Sequence, residues 1–327
     1  MSRPTLRRAP AALAVIALAV AGLHAASPAH AAPAEGEIMV EPDFSGSGPC
    51  TTSSAPNLSD KAFTDNGVTA TSTYAAQGST VANGNPADTT TLKMASTVKA
   101  RLTKIGGASS TFTGTVSASA SATPALAGSA CGASSNLQSL AVASAVLPKP
   151  MWAEVRASGS GDGAIQAFAS SEVSSGAGTI ISRGSGTATG YLRAGEIQLF
   201  AGVQVRATTD GPTALRTTKQ TGKFSVVLRQ MGYAFTPSGA GLRYVALGSR
   251  KCSSDRVAVA FNSRVSKARA IAISVNGVRK MTFTGSTVRE RVFSVPVKSS
   301  SKAKITATVV LDSGATVTAA RSYLACS

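Results

Sequence analysis

The sequence predicts an all-β protein: an N-terminal jelly-roll-like β-sandwich followed by a smaller C-terminal immunoglobulin-like β-sandwich. Three observations carry this reading. Small and apolar residues alternate with polar ones at a two-residue period over most of the chain. Turn signals break the alternation at short intervals, as in Gly106-Gly107, Pro148-Lys149-Pro150, Gly159-Ser160-Gly161-Asp162-Gly163 and Asp210-Gly211-Pro212. Four cysteines, Cys50, Cys131, Cys252 and Cys326, fall two to each half of the chain.

The first residues read as an address. Arg3, Arg7 and Arg8 precede an apolar run over 11–23, and Ala29-His30-Ala31 is a small-x-small cleavage site, the order of a secretory signal peptide. The apolar run of about 13 residues is shorter than the ~20 a spanning helix needs. The expected plan is a signal peptide over 1–31, a Ser/Thr/Ala-rich sandwich over 32–236, a linker over 237–249 and a basic sandwich over 250–327. The mature chain is expected to have no transmembrane segment, and to be secreted and extracellular or associated with the cell envelope.

In the first sandwich, 68–74, 112–120, 137–147, 151–157, 164–169, 179–191, 197–207 and 224–229 read as strands. The stretch 89–105 also admits a helix, with Leu92, Met94, Val98, Leu102 and Ile105, but its Thr content and its neighbours favour a strand. Small inward residues predict a core with few large anchors, a weakness that a disulfide would offset. Glu35, Glu37, Glu41 and Asp43 read as a flexible acidic tail.

In the second sandwich, Val257, Val259 and Phe261 alternate, as do Ile271, Ile273 and Val275, which run into Asn276-Gly277. Asn-Gly between two alternating runs is a strong hairpin signal because both residues tolerate positive φ. Phe293, Val295 and Val297, then Ile305, Ala307, Val309 and Leu311, continue the pattern to the turn Asp312-Ser313-Gly314. Six or seven short strands in this span fit an immunoglobulin-like or fibronectin-III-like sandwich. Four cysteines allow three pairings, and one bridge per domain favours Cys50–Cys131 and Cys252–Cys326.

The stretch 252–326 resembles the C-terminal β-sandwich of many uncharacterised secreted proteins of high-GC Gram-positive bacteria. The likeness is carried by Cys252, by Ser274-Val275-Asn276-Gly277-Val278-Arg279, by the Asp312-Ser313-Gly314 turn and by Arg321-Ser322-Tyr323-Leu324-Ala325-Cys326. Through Tyr191-Leu192-Arg193-Ala194-Gly195 and Ile197-Gln198-Leu199-Phe200, the first domain is similar to jelly-roll modules appended to secreted enzymes. These resemblances imply an architecture and an extracellular address, and supply no active site to transfer.

Both histidines, His24 and His30, lie in the expected signal peptide. A mature chain without imidazole cannot assemble a Ser-His-Asp triad, a Cys-His pair or a histidine-ligated metal site. Oxidised cysteines would remove thiolate chemistry as well. No enzyme activity and no cofactor is therefore expected. A carboxylate-dependent glycan-active enzyme remains as an alternative, and needs two of Glu154, Glu172 and Glu196 in one cleft. Asp162, in its Gly-rich loop, reads as a plain turn.

The chain has 32 Lys+Arg against 15 Asp+Glu, a formal charge of +17. Residues 32–247 carry 15 basic and 12 acidic side chains, whereas 248–327 carry 14 and 3. A cationic domain outside a cell meets anionic polymers. The expected function is a secreted, non-catalytic binding or structural protein that associates with the cell envelope, with an anionic cell-wall polymer or glycan as partner. A carbohydrate-binding module built on Trp152 is the alternative. Candidate ligand contacts are Trp152, Arg279, Lys280, Lys302 and Lys304. Nucleic acid is not expected, since Phe261, Phe283 and Phe293 read as core and leave the basic face without stacking platforms.

Overall fold

The computed structural model describes residues 34–58, 60–171, 179–209 and 216–326. The expected signal peptide, Glu172 and the Asp210-Gly211-Pro212 turn lie outside them. The described residues form antiparallel β-sheets joined by turns and three short 3-10 segments. No helix among them is long and apolar enough to cross a membrane.

Among the described residues the N-terminal body has thirteen strands: β1 (Glu35–Ser47), β2 (Cys50–Thr52), β3 (Lys61–Thr64), β4 (Asn66–Ala82), β5 (Asn85–Thr103), β6 (Ser109–Pro124), β7 (Gly132–Leu147), β8 (Met151–Gly161), β9 (Ala164–Ser171), β10 (Thr179–Arg183), β11 (Gly186–Leu192), β12 (Gly195–Thr208) and β13 (Thr217–Gln230). One sheet runs β10-β9-β12-β7-β1-β3 and the other β11-β8-β13-β6-β5-β4-β2. The stretch that also admitted a helix is the strand β5. Leu92, Met94, Val98, Ala100 and Leu102 on it point into the core, and Lys93, Lys99 and Arg101 point out. A two-residue period puts every second side chain on the same face, which a helix over the same residues could not do.

The core is made largely of small residues, including Ala118, Ala120, Ala122, Ala141 and Ala201. Its larger anchors are few and meet one another: Phe63 stacks on Phe112 at 6.3 Å, and Phe112 lies 5.0 Å from Phe224. Phe224 sits over Gly114, its cross-strand partner, where an added Cβ would come within 2.4 Å of the ring. The Cys50–Cys131 disulfide ties edge strand β2 to the start of β7.

In the N-terminal body two sequence expectations are corrected. Glu35, Glu37, Glu41 and Asp43 do not form a flexible tail: they are the outward-facing residues of β1, which is paired on both sides by β3 and β7. Burial and the neighbouring Asp60 carboxylate hold Glu37 above the usual carboxylate range. The run 179–191 is two strands, because the chain turns at Gly184 (φ 63°) and sends β10 and β11 to opposite sheets.

The C-terminal body has seven strands: β14 (Val245–Lys251), β15 (Arg256–Phe261), β16 (Ala268–Val275), β17 (Val278–Thr284), β18 (Arg291–Pro296), β19 (Ala303–Leu311) and β20 (Thr316–Tyr323). They form a β14-β15-β18 sheet and a β17-β16-β19-β20 sheet around a core that includes Val259, Phe261, Ile271, Ile273, Ile305 and Tyr323. Asn276 and Gly277, at φ 50° and 83°, make the two-residue hairpin turn between β16 and β17. The stretch expected to be a linker is woven into this body. Phe235 and Ser238 hydrogen-bond to the outer side of β20, and β14 is a full strand of the three-stranded sheet. The register of β20 decides this pairing, and the local sequence does not report it.

Cys252 and Cys326 are bonded, closing a loop with a sequence separation of 74. In the chain-entropy picture such a loop stabilises the fold by about 4.5 kcal/mol. Replacing both cysteines by alanine is expected to lower the unfolding free energy of the C-terminal body by up to that amount. Urea unfolding followed by near-ultraviolet circular dichroism measures it.

Candidate functional site

A cleft of about 250 Å³ lies between the two bodies. Trp152, Glu154, Thr189 and Arg229 line it from the N-terminal body. Asn276, Lys302, Lys304, Ser322 and Tyr323 line it from the C-terminal body, and Phe235 from the connection.

On the N-terminal side the site is a consequence of strand register. Trp152 and Glu154 alternate with buried Ala153 and Val155, so both project from the outer face of β8. Pairing places Trp152 between Tyr191 on β11 and Arg229 on β13. The Arg229 guanidinium lies 5.3 Å from the Phe235 ring centre and 5.8 Å from that of Tyr233. Arg229 also reaches Glu154 at 3.6 Å, and Arg156 reaches the other Glu154 oxygen at 2.7 Å. Two guanidiniums therefore neutralise the carboxylate in the cleft.

Trp152 is half-buried, and its place is neither the core nor an open surface. Its indole N–H donates to the Ala325 carbonyl at 3.1 Å. The same carbonyl accepts the Gly232 N–H at 2.8 Å. Gly232 has φ 68°, and an added Cβ would come within 2.4 Å of the Cys252 sulfur. Glycine is required there on both counts. The disulfide thus pins Ala325, and Ala325 pins both the chain connection and the tryptophan.

On the C-terminal side, Lys302 and Lys304 flank buried Ala303 and project outward, as their shared parity predicts. Asn276 holds the strand start beneath them: its Oδ1 accepts the Lys304 N–H at 2.7 Å, and its Nδ2 donates to the Lys302 carbonyl at 3.2 Å. Among the described residues neither lysine side chain has a carboxylate within 4.0 Å. Tyr323 is buried, its hydroxyl donates to the Gly248 carbonyl at 3.0 Å, and burial pushes its pKa up to about 12.

The structure thus brings Trp152, Lys302 and Lys304 into one cleft. Arg279 and Lys280 stand on β17, at the sheet edge and outside the cleft lining. Glu154 is in the cleft, whereas Glu196 is exposed on β12 of the other sheet, so these two carboxylates do not share a site. Glu172 lies outside the described residues. Asp162 is exposed at the turn after β8, where its N–H donates to the Lys219 carbonyl. Phe261 is core, but Phe283 and Phe293 are half-buried around it, with Arg291 over Phe283 at 5.4 Å.

Sequence reading missed Arg229, Phe235 and Ser322 as cleft residues. No local signal marks them, because they meet only through strand pairing. Asn276 was legible as a turn residue and has the second role of bracing the lysine strand.

The chain matches no protein-family model, no curated protein and no solved structure.

Two outcomes follow from this geometry. Trp152→Phe keeps an aromatic side chain, though a smaller one, and removes the donor to Ala325, so it is expected to cost about 1 kcal/mol or more of stability in urea unfolding. A tyrosine whose folded pKa exceeds its unfolded value of about 10 holds its proton more tightly in the fold. Stability is therefore expected to fall as pH rises from about 10 to 12, and Tyr323→Phe should flatten that slope in thermal melts.

Proposed function

We propose that this protein is a secreted, non-catalytic binding protein whose inter-body cleft takes an anionic glycan, such as an acidic polymer of the cell envelope. The observation that carries the reading is the meeting of the Trp152 ring with Lys302 and Lys304 around one cleft, in which the carboxylate is already neutralised. An indole face packs against the apolar face of a sugar ring, and ammonium groups pair with its carboxylate or phosphate substituents. Because the indole N–H is held by Ala325, the ring is pre-oriented, which reduces the ordering cost of binding. An extracellular address draws support from the two disulfides and from the export-signal pattern of the first residues.

The C-terminal body fits a fibronectin-III-like variant of the immunoglobulin-like sandwich. Its fourth strand, β17, pairs with β16 in the four-stranded sheet and leaves β14-β15-β18 as the other. For the N-terminal body, a jelly-roll-like reading draws on the passage of the chain between sheets from β6 to β7 to β8 to β9.

The full chain is expected to sediment with isolated cell walls and to be released by ~1 M salt, where charges are screened within ~3 Å. Lys302→Gln with Lys304→Gln should weaken retention about tenfold. Emission of the single tryptophan should shift on binding. Retention indifferent to both salt and the lysine pair would overturn the reading.

A further inference from the structure

The N-terminal body is nearly neutral in total, but its charge is sorted by face. The outer face of the six-stranded sheet carries Glu35, Glu37, Glu41, Asp43 and Glu196 against Arg183 and Arg206, and is acidic in balance. The outer face of the seven-stranded sheet carries Lys93, Lys99, Arg101, Arg156, Lys219 and Lys223. Among the described strand residues of that second face the one carboxylate is Glu154, at its cleft end and already paired with Arg156 and Arg229.

The middle of this cationic face is a shallow trough of about 270 Å³. Its floor is built from small side chains on three adjacent strands: Thr73 and Ala75, Ala95 and Thr97, Ser117 and Ser119. Register places lysines around it. Lys99 pairs with Thr115, which pairs with Lys223 on the far side. Ser119 pairs with Lys219, and Lys93 stands two residues beyond Ala95 on β5. Lys99 and Lys223 are two strands apart, about 10 Å, and Lys219 and Lys223 are four residues apart, about 14 Å. All four lysines are exposed. None of their ammonium groups makes an ion pair among the described residues.

The trough and the cleft belong to the same face. The row holding Thr97, Ser117 and Thr221 leads through the row holding Arg101, Thr113, Ser225 and Arg156 to Arg229 beside Trp152. From Thr221 to Arg229 is eight residues along β13, about 27 Å. We infer that the hydroxyl-floored trough walled by Lys93, Lys99, Lys219 and Lys223 is a second subsite for a linear acidic glycan, continuous with the inter-body cleft. The inference rests on the cleft reading for the identity of the ligand.

The chemistry selects a glycan over a nucleic acid. The outward residues of β4, β5, β6 and β13 that form the trough and its walls are Thr, Ser, Ala and Lys, which hydrogen-bond sugar hydroxyls and pair with acid groups. Tyr74, the aromatic residue in the trough lining, is buried with its hydroxyl donating to the Pro56 carbonyl, so it offers no open ring on which successive bases would stack.

Oligogalacturonates of increasing length, with one carboxylate per sugar, titrated into the full chain by calorimetry, test this. Affinity is expected to keep rising with length past the cleft-filling oligomers and to level off once a chain spans both sites. The variant carrying Lys93→Gln, Lys99→Gln, Lys219→Gln and Lys223→Gln should lose about tenfold in affinity for long oligomers and nothing for short ones. The Lys302→Gln/Lys304→Gln variant should lose affinity for both. Long-chain affinity unchanged in the four-lysine variant, with a native melting temperature, overturns the trough and leaves the cleft standing. Short-oligomer binding unchanged in the two-lysine variant overturns the cleft, and the trough then stands on the four-lysine result alone. Equal affinity for oligothymidylate of matched charge overturns the glycan assignment, and no binding at any length overturns both sites.

Discussion

One carbonyl, that of Ala325, fixes how the two bodies meet. It accepts the Gly232 N–H from the connecting turn and the Trp152 indole N–H from the outer face of β8. A carbonyl with two lone pairs can satisfy both donors, and a carbonyl that is itself held still makes both bonds directional. The Cys252–Cys326 bridge holds it still, since Cys326 follows directly and its partner packs against Gly232. Everything in the cleft inherits this constraint. Trp152 is held by its indole N–H, Arg229 lies against Phe235, and Lys302 and Lys304 line the same cleft as the tryptophan.

Formal charge is a poor guide to usable charge in this protein. Arg250 is buried, and its guanidinium donates to the carbonyls of Lys298, Ser299, Ser301 and Leu324, stitching the chain end to the preceding loop. Burial lowers its pKa from the ordinary guanidinium range, and nearby Asp255 acts in the opposite direction. Arg321 is consumed in the same way by the carbonyls of Phe235, Leu247 and Gly248. These cations are structural because a planar guanidinium presents several donors at once to converging carbonyls. The N-terminal body shows the converse: a small net charge conceals two faces of opposite sign.

The small-residue core and the long strands are two sides of one solution. Alanine buries little area per residue, so stability must be gathered over many positions. Strands such as β5, with 19 residues, supply those positions and also extend the outer face on which Lys93, Lys99 and Arg101 stand. The array that stabilises the core therefore also sets the spacing of the exposed cations.

Much of the fold was legible in the sequence. Alternation identified the strands, because period two is a local property of the chain; over 89–105, where Leu92, Met94 and Val98 also admitted a helix, Thr content and neighbouring strands favoured the strand that β5 forms. Asn276-Gly277 announced its hairpin, because few residue pairs accept positive φ twice in succession. One bridge per domain gave the disulfide pairing. The acidic residues of β1 were misread because alternating carboxylates look alike in a solvated tail and on an outer sheet face, and the burial of Ile38 and Val40 between them is settled by partners far along the chain. The site was hardly legible. Trp152, Lys302 and Lys304 were recognisable as candidates by residue type, and Arg279 and Lys280 were equally eligible. Which of them share a cleft depends on strand order, register and the docking of one body on the other, all set by contacts between residues far apart in sequence. The sequence by itself determined the strand period and the hairpin turn. Tertiary structure alone decided which side chains meet, because pairing between distant strands leaves no mark on either strand alone.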